Sequence, residues 1–162
     1  MTDTSELTPA ARLSAQAWES LFRAQVALMR RFQRDDIWIE VSLREYDVLF
    51  TLSLCPDRQL RLGELNQHVL LSQPSLSRLV ERLEARGLLR REPSPDDGRG
   101  TVVALTDEGL RLQREIGRRH VRTIDRYVGG ALSEAELRRL AELCDALRLA
   151  QPDIPDRSSG HS

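Results

Sequence analysis

Residues 71–91 read LSQPSLSRLVERLEARGLLRR and contain the start, the apolar stripe and the end of one helix. Ser72 is a typical N-cap residue, and Pro74 is tolerated because it falls in the first turn of the helix that follows. Gly87 ends that helix as a C-cap residue. At about 100° per residue, Arg78 points away from the apolar stripe, so the stretch predicts an amphipathic helix with an arginine on its outer face. The stripe consists of Leu76, Leu79, Val80 and Leu83.

A short helix precedes this one and a β-hairpin follows it. Residues 62–69 read as a helix separated from the next one by only a few residues, which is helix-turn-helix spacing. Residues 88–92 and 101–105 read as two strands, joined by a turn rich in glycine and proline at residues 93–100. A hairpin in this position is a wing. The sequence therefore predicts a winged helix-turn-helix domain over residues 42–106.

Further helices flank this domain. Residues 8–34 carry apolar side chains at helical spacing, and a charged helix is expected over residues 108–128, broken by Gly129-Gly130. Two capping boxes, Ser42 with Glu45 and Ser133 with Glu136, open two more helices. These outer helices have apolar faces that a small winged domain cannot cover, so we expect two chains to pack together as a homodimer.

The expected fold class is mainly α (α+β): a winged helix-turn-helix with N- and C-terminal dimerisation helices. We assign the N-terminal dimerisation helix and a connector to residues 8–41 and the DNA-binding domain to residues 42–106. The C-terminal dimerisation helices take residues 107–150. The polar residues 151–162 contain two prolines and are expected to form a disordered tail.

Composition excludes several classes of protein. The chain of 162 residues has a net charge of −1, and no apolar run approaches the roughly 20 residues of a membrane helix. No signal peptide is recognisable, so we expect a cytoplasmic protein without a membrane partner. Cys55 and Cys144 have no paired spacing that would indicate a disulfide scaffold. All 24 basic residues are arginine, and from Arg58 to Leu105 eight arginines outnumber six carboxylates.

Catalytic and metal-binding patterns are missing from the sequence. His68, His120 and His161 are scattered, and no cysteine pair or carboxylate cluster has ligand spacing, so we expect no metal site. There is no G-x-S-x-G sequence and no glycine loop that would cradle a phosphate. We therefore expect neither an enzyme nor a bound cofactor.

Three linked motifs resemble the MarR (multiple antibiotic resistance regulator) family. Residues 71–91 resemble its recognition helix and first wing strand, and residues 97–100, DGRG, are similar to its D-x-R wing tip. Residues 105–109, LTDEG, are similar to its L-T-x-x-G helix start. The resemblance covers about residues 10–149. The chain departs from the family pattern at two positions. At Gly100 a residue with a small side chain is commoner than glycine, and Pro74 removes a backbone donor.

The resemblance implies which residues face DNA. In that family the recognition helix enters the major groove and a wing arginine enters the minor groove, a role that falls here on Arg99. It also implies that Asp97 braces an arginine nearby. Arg82 lies on the same outer face, although an isolated arginine there is more often a solvated surface residue. The expected DNA-binding residues are Ser72, Gln73, Ser75, Ser77, Arg78, Arg82 and Arg99.

The function that the resemblance implies is a sequence-specific, DNA-binding transcriptional regulator that acts as a repressor. It would bind a pseudo-palindromic operator as a homodimer and be released by a small aromatic or phenolic effector. Family members bind such ligands between the dimer helices and the winged domain. Aromatic residues usually belong to the core, but five could line such a pocket: Trp18, Phe22, Trp38, Tyr46 and Phe50.

Two alternatives remain open at this point. A winged helix can be a protein-interaction module without specific DNA binding, because a fold alone does not define a function. Such a module should carry apolar residues on the outer face of its second helix, whereas here that face is polar. The other alternative is a regulator that senses redox state through Cys55, which we interpret instead as a buried, unreactive thiol.

Overall fold

The computed structural model describes residues 8–96 and 99–151. Backbone contacts separate the chain into two compact units, the first ending at Asp36 and the second beginning at Ile37. The first unit contains a single long helix, α1 (Pro9–Gln33), as the apolar spacing predicts.

The second unit contains the winged helix-turn-helix and the C-terminal helices. Within the described residues a three-stranded antiparallel sheet has the order β1-β3-β2. The predicted class, mainly α with a small sheet, is confirmed. Its elements are α2 (Leu43–Ser53), β1 (Gln59–Arg61), α3 (Leu62–His68), α4 (Gln73–Ala85), β2 (Leu89–Pro93), β3 (Thr101–Leu105), α5 (Asp107–Ile124) and α6 (Glu134–Leu149).

Strand β1 is an element that the sequence did not predict. It pairs with β3, with Leu60 opposite Val103, and forms the edge strand of the sheet directly before α3. Three residues are too short to display the alternation of apolar and polar side chains by which a strand is recognised. The predicted wing hairpin is confirmed, because β2 pairs with β3 and places Arg91 opposite Val103.

The core lies between α2, α3, α4 and the sheet. The predicted apolar stripe of α4 is buried, and it meets fully buried side chains of α2 and α3. Because one face of α4 is used up in this core, its other face is the one available to a partner. The central residues include Val48, Leu49, Leu52, Leu65, Leu76, Val80, Leu83 and Val103.

A compact junction joins the end of α4 to the start of α5. Gly87 has a positive φ of 73°, which glycine adopts without strain. The Thr106 hydroxyl contacts the carbonyl oxygens of Gly87 and Leu88 at 2.7 and 3.0 Å, and it accepts a bond from the Gly109 amide at 3.0 Å. A Cβ at position 109 would overlap the Leu88 carbonyl oxygen, so this approach requires glycine.

The C-terminal helices follow the prediction with one difference. Helix α5 ends at Ile124 and continues as a π-helical turn, Asp125–Gly129, where an unbroken α-helix to residue 128 was expected. Both predicted capping boxes are present, at Ser42 for α2 and at Ser133 for α6. Beyond residue 151, the predicted disordered tail lies outside the described residues.

Candidate nucleic-acid interface and aromatic cluster

The first turn of α4 is held together by two serines. The Ser72 Oγ accepts a hydrogen bond from the Ser75 amide at 3.3 Å, and its hydroxyl donates to the Ser75 Oγ at 2.8 Å. Gln73 is exposed beside them at the first helical position. The helix therefore begins with a cluster of short polar groups, whose remaining donors and acceptors can meet a hydrogen-bonding partner.

The outer face of α4 continues this polar surface. Ser77 is half-buried and Arg78 is exposed, on the side opposite the buried stripe. No carboxylate in the described part of the chain lies within ion-pairing distance of Arg78. An exposed guanidinium without a carboxylate partner retains its full capacity for a bidentate contact with guanine or with a phosphate.

Arg82 has a different environment from Arg78. Its Nε lies 3.8 Å from Oε1 of Glu45, and the Arg86 Nη1 lies 4.0 Å from the other oxygen of the same carboxylate. Arg86 also donates to the Glu40 carbonyl oxygen at 2.5 Å. The second half of α4 is thus tied to α2 and to the segment before it. The sequence did not identify these contacts, because nothing local relates Glu45 to α4.

The wing is braced at its base by an ion pair. The Arg61 Nη2 lies 2.9 Å from Oδ2 of Asp96, which joins β1 to the start of the wing loop. A hydrogen bond joins the two ends of the loop, as the Ser94 amide donates to the Gly100 carbonyl oxygen at 2.8 Å. Arg99 is exposed at the end of this loop. Asp97, for which a bracing role was expected, lies outside the described residues.

Two more arginines of the winged domain pair with carboxylates. The Arg91 Nε lies 2.7 Å from Oε2 of Glu84, and this hydrogen bond lowers the pKa of Glu84. Arg90 and Glu92 pair within β2 at 2.6 Å. Several arginines of residues 58–105 are therefore neutralised by carboxylates of the same chain. Arg78 differs from these neighbours in this respect.

Three of the five predicted pocket residues form one group with a histidine. The ring centroids of Trp38 and Tyr46 lie 5.5 Å apart, and those of Tyr46 and Phe50 lie 6.0 Å apart. Trp38 and Tyr46 each make an edge-to-face contact with the ring of His120. Trp18 and Phe22 belong to the other unit, where they stack on each other with centroids 5.9 Å apart. Both are exposed on α1.

The Tyr46 hydroxyl faces α5. Burial raises the pKa of this phenol above its usual value of 10.0, and a hydrogen bond with the side chain of Gln113 opposes the shift. A Cβ at Gly117 would lie 3.1 Å from the hydroxyl, tighter than an ordinary contact. At neutral pH Tyr46 is therefore protonated and carries a hydrogen-bond donor beside α5.

Sequence reasoning missed the α5 residues of this aromatic cluster. Gln113, Gly117 and His120 recur at four- and three-residue steps, so they share one face of the helix. That spacing was available in the sequence. What was missing was the knowledge that this face of α5 packs on α2, and only such knowledge relates His120 to Tyr46.

Cys55 is buried next to the core. Its thiol donates to the Thr51 carbonyl oxygen at 3.2 Å, within the last turn of α2 and the residues after it. A thiol in this position is poorly accessible to an oxidant. Cys144 is exposed on α6.

No metal or membrane site is found in the described chain. Residues 8–96 and 99–151 contain no group of three or more potential metal ligands. None of the helices among them combines the length and the apolar character that crossing a bilayer requires.

Comparison with known proteins defines the class to which this arrangement belongs. A sequence model of the MarR family matches residues 39–100. The DNA complex of Sco3205, a MarR family transcriptional regulator from Streptomyces coelicolor, superposes with a TM-score of 0.71 at 31% identity, over 96% of this chain and 98% of that one. The chain therefore belongs to the MarR family of transcriptional regulators.

Two further relatives are regulators as well, and none of these proteins is named as an enzyme. The PcaV transcriptional regulator from Streptomyces coelicolor, in complex with its natural ligand, is 26% identical, over 93% of this chain and 99% of that one, with a TM-score of 0.60. The regulator MhqR from Bacillus subtilis is 33% identical over 82 residues. That match covers 51% of this chain and 56% of the length of MhqR.

Proposed function

We propose that this protein is a transcriptional repressor that binds double-stranded DNA sequence-specifically through α4 and the wing. The observation that carries the proposal is the polar outer face of α4, on which Arg78 projects with no carboxylate of residues 8–96 or 99–151 paired to it. An α-helix fits the major groove, where short polar side chains and arginine read base edges. The DNA complex of the related Sco3205 supports this assignment.

The proposed contacts divide into base readout and wing insertion. Ser72, Gln73, Ser75, Ser77 and Arg78 would face bases or phosphates in the major groove. Arg99 would enter the minor groove, where a narrow groove concentrates negative potential. The Glu45 carboxylate near Arg82 offsets part of its positive charge, so its contribution should be smaller than that of Arg78.

The proposed assembly is a homodimer on a pseudo-palindromic operator. Helix α6 leaves Leu140, Leu143 and Leu147 exposed along one side, and α1 leaves Trp18 and Phe22 exposed. Apolar surface of this kind is stabilised when a second copy covers it. Two recognition helices would then enter major grooves about one helical turn apart, roughly 34–36 Å.

The proposed regulation is release from DNA by a small aromatic or phenolic effector. The rings of Trp38, Tyr46 and Phe50 provide apolar contacts, and the protonated hydroxyl of Tyr46 provides a hydrogen-bond donor. The ligand-bound structure of PcaV supports an effector site in this chain. A coupling of about 1–3 kcal/mol between the two sites would lower operator affinity by about 5- to 150-fold.

Selection of bound duplexes from random DNA tests the DNA-binding part. We expect a pseudo-palindromic consensus, together with a dimer in sedimentation velocity runs at micromolar concentration. Aromatic acids and phenols that raise the melting temperature of the protein should also release the selected duplex. Failure to enrich any sequence would favour a protein-interaction module, and release only on oxidation would favour a thiol switch.

A further inference from the structure

Leu70 is the most exposed large hydrophobic side chain in the described part of the chain, with 98% of its surface accessible. It lies in the turn between α3 and α4. Its side chain contributes almost nothing to the core, so the stability of the fold does not explain a leucine at this position. In an isolated protein this exposure is unfavourable, because it places apolar surface in contact with water.

The turn that carries Leu70 is anchored on both sides. Val69 belongs to the buried core, and Leu71 is half-buried against it. The Asn66 side chain donates a hydrogen bond from Nδ2 to the Leu71 carbonyl oxygen at 2.9 Å. Because both neighbours point inward and the backbone is held, Leu70 is displayed outward with little backbone entropy left to lose on binding.

The position of Leu70 is next to the surface proposed to read base edges. It precedes the N-cap residue Ser72 by two positions, and the N-terminal residues of a recognition helix are those that contact bases. A leucine side chain has no hydrogen-bonding group, so it gains nothing from a phosphate or from a base donor or acceptor. The one apolar group that base edges present in the major groove is the C5-methyl group of thymine.

We infer that Leu70 is a specificity-determining residue that packs against a thymine methyl group in each operator half-site. The inference rests on the proposed DNA binding by α4 and deepens it by naming a base that the turn prefers. Burying one methyl-sized group from water corresponds to about a fourfold gain in affinity. We therefore expect about fourfold discrimination between thymine and uracil in each half-site, since uracil lacks only this methyl group.

The test measures the duplex selected with the wild-type protein, synthesised once with thymine and once with deoxyuridine at every thymine position. Fluorescence anisotropy gives the affinity of each duplex for wild type, Leu70→Ala and Ile39→Ala. Ile39 is the matched control, because it is also a largely exposed aliphatic residue, but it lies in the segment before α2. Circular dichroism confirms that the variants are folded.

Wild type and Ile39→Ala should bind the thymine duplex about fourfold more tightly per half-site, and Leu70→Ala should lose this preference. Comparing ratios removes any effect of uracil on duplex shape that all three proteins share. An equal thymine-to-uracil ratio in wild type and Leu70→Ala would overturn the inference while leaving the proposed DNA binding intact. If wild type enriches no duplex at all, the proposed function itself fails.

Discussion

Helix α4 of the winged domain and helix α6 are both amphipathic, but their apolar faces differ in how far the chain buries them. In α4 the side chains of Leu76, Leu79 and Leu83 are almost completely buried within the same chain. In α6, Leu140, Leu143 and Leu147 remain 40%, 47% and 56% exposed. Periodicity therefore identifies an apolar face but does not reveal whether the same chain buries it.

The helix starts in the two regions are alike. Ser42 and Ser133 each receive the carboxylate of the residue three positions on, with the amide donating at 2.8 Å in both cases. The tertiary surroundings differ, because Glu45 also faces two arginines of α4. Ser133 alone accounts for the lowered pKa of Glu136, through its amide and its hydroxyl. The same local motif is thus part of a network in one region and isolated in the other.

The largest expected effect separates the two apolar faces. Leu83→Ala should lower the free energy of unfolding by about 2–5 kcal/mol, because it leaves a cavity in a buried core. Leu140→Ala should cost much less at low protein concentration, where no second copy covers α6. Urea denaturation of both variants at two protein concentrations measures this difference. Equal losses that do not depend on concentration would mean that α6 is buried within its own chain.

The next effect concerns association. Leu140→Asp should weaken self-association by about 100-fold, since an unpaired carboxylate in an apolar interface costs several kcal/mol. Operator affinity should fall with it, because two half-sites would no longer be bound together. Arg138→Ala is the control on the same helix, as Arg138 pairs with Glu134 on the face of α6 opposite Leu140. A Leu140→Asp variant that sediments as a dimer like wild type would contradict the proposed interface.

Exposed arginines of the two regions should differ in their effect on DNA binding. Arg78→Ala should cost about 1–3 kcal/mol on the selected duplex and relax the preference at particular base pairs. Arg138→Ala should leave affinity unchanged. Anisotropy titrations at several salt concentrations make the comparison, and each lost phosphate contact should flatten the slope of log affinity against log salt by about 0.9. Equal behaviour of the two variants would remove α4 from the DNA interface.

A smaller effect is expected at the wing. Arg99→Ala should weaken binding by about 1 kcal/mol, and most on duplexes with A/T-rich flanks, because a narrow minor groove attracts an inserted arginine most strongly. Paired duplexes that differ only in their flanks measure this dependence. If the loss is the same on A/T-rich and G/C-rich flanks, Arg99 does not enter the minor groove.

The smallest losses of stability are expected for changes in the two capping boxes. Glutamine can replace glutamate in a capping box, so Glu45→Gln removes only the charge beside Arg82 and Arg86 and should cost up to about 1 kcal/mol. Glu136→Gln should lower the melting temperature at pH 7 by less than Glu45→Gln does, because it removes only the charge that accepts from Ser133. Thermal melts of both variants test this, and a larger loss for Glu136→Gln would show that the arginines add nothing to Glu45.

The same pair also predicts a pH dependence. The pKa of Glu136 is lowered in the folded protein, so its contribution to stability is present above the unfolded value of about 4.5. It is lost as the pH falls through the folded pKa. Glu136→Gln should remove this component from an acid titration of stability. An unchanged titration curve would mean that the carboxylate of Glu136 does not contribute.

Most helix boundaries, the wing hairpin and the polar outer face of α4 were predictable from local sequence signals. The starts at Ser42, Ser72 and Ser133 were predictable because a cap residue and its hydrogen-bond partner lie within three residues of each other. The apolar stripe of α4 was predictable for a related reason, since neighbours on a helix face are three or four positions apart. Such signals are local, and their physics does not depend on the rest of the fold.

The contacts that join distant segments became apparent only in the folded chain. Strand β1 exists because Leu60 finds Val103 across the sheet, and the brace between Arg61 and Asp96 joins residues 35 positions apart. The group formed by Tyr46 and His120 likewise depends on the packing of α5 against α2. No residue pattern encodes these pairs locally, because their free energy arises only once the core has brought two particular faces together.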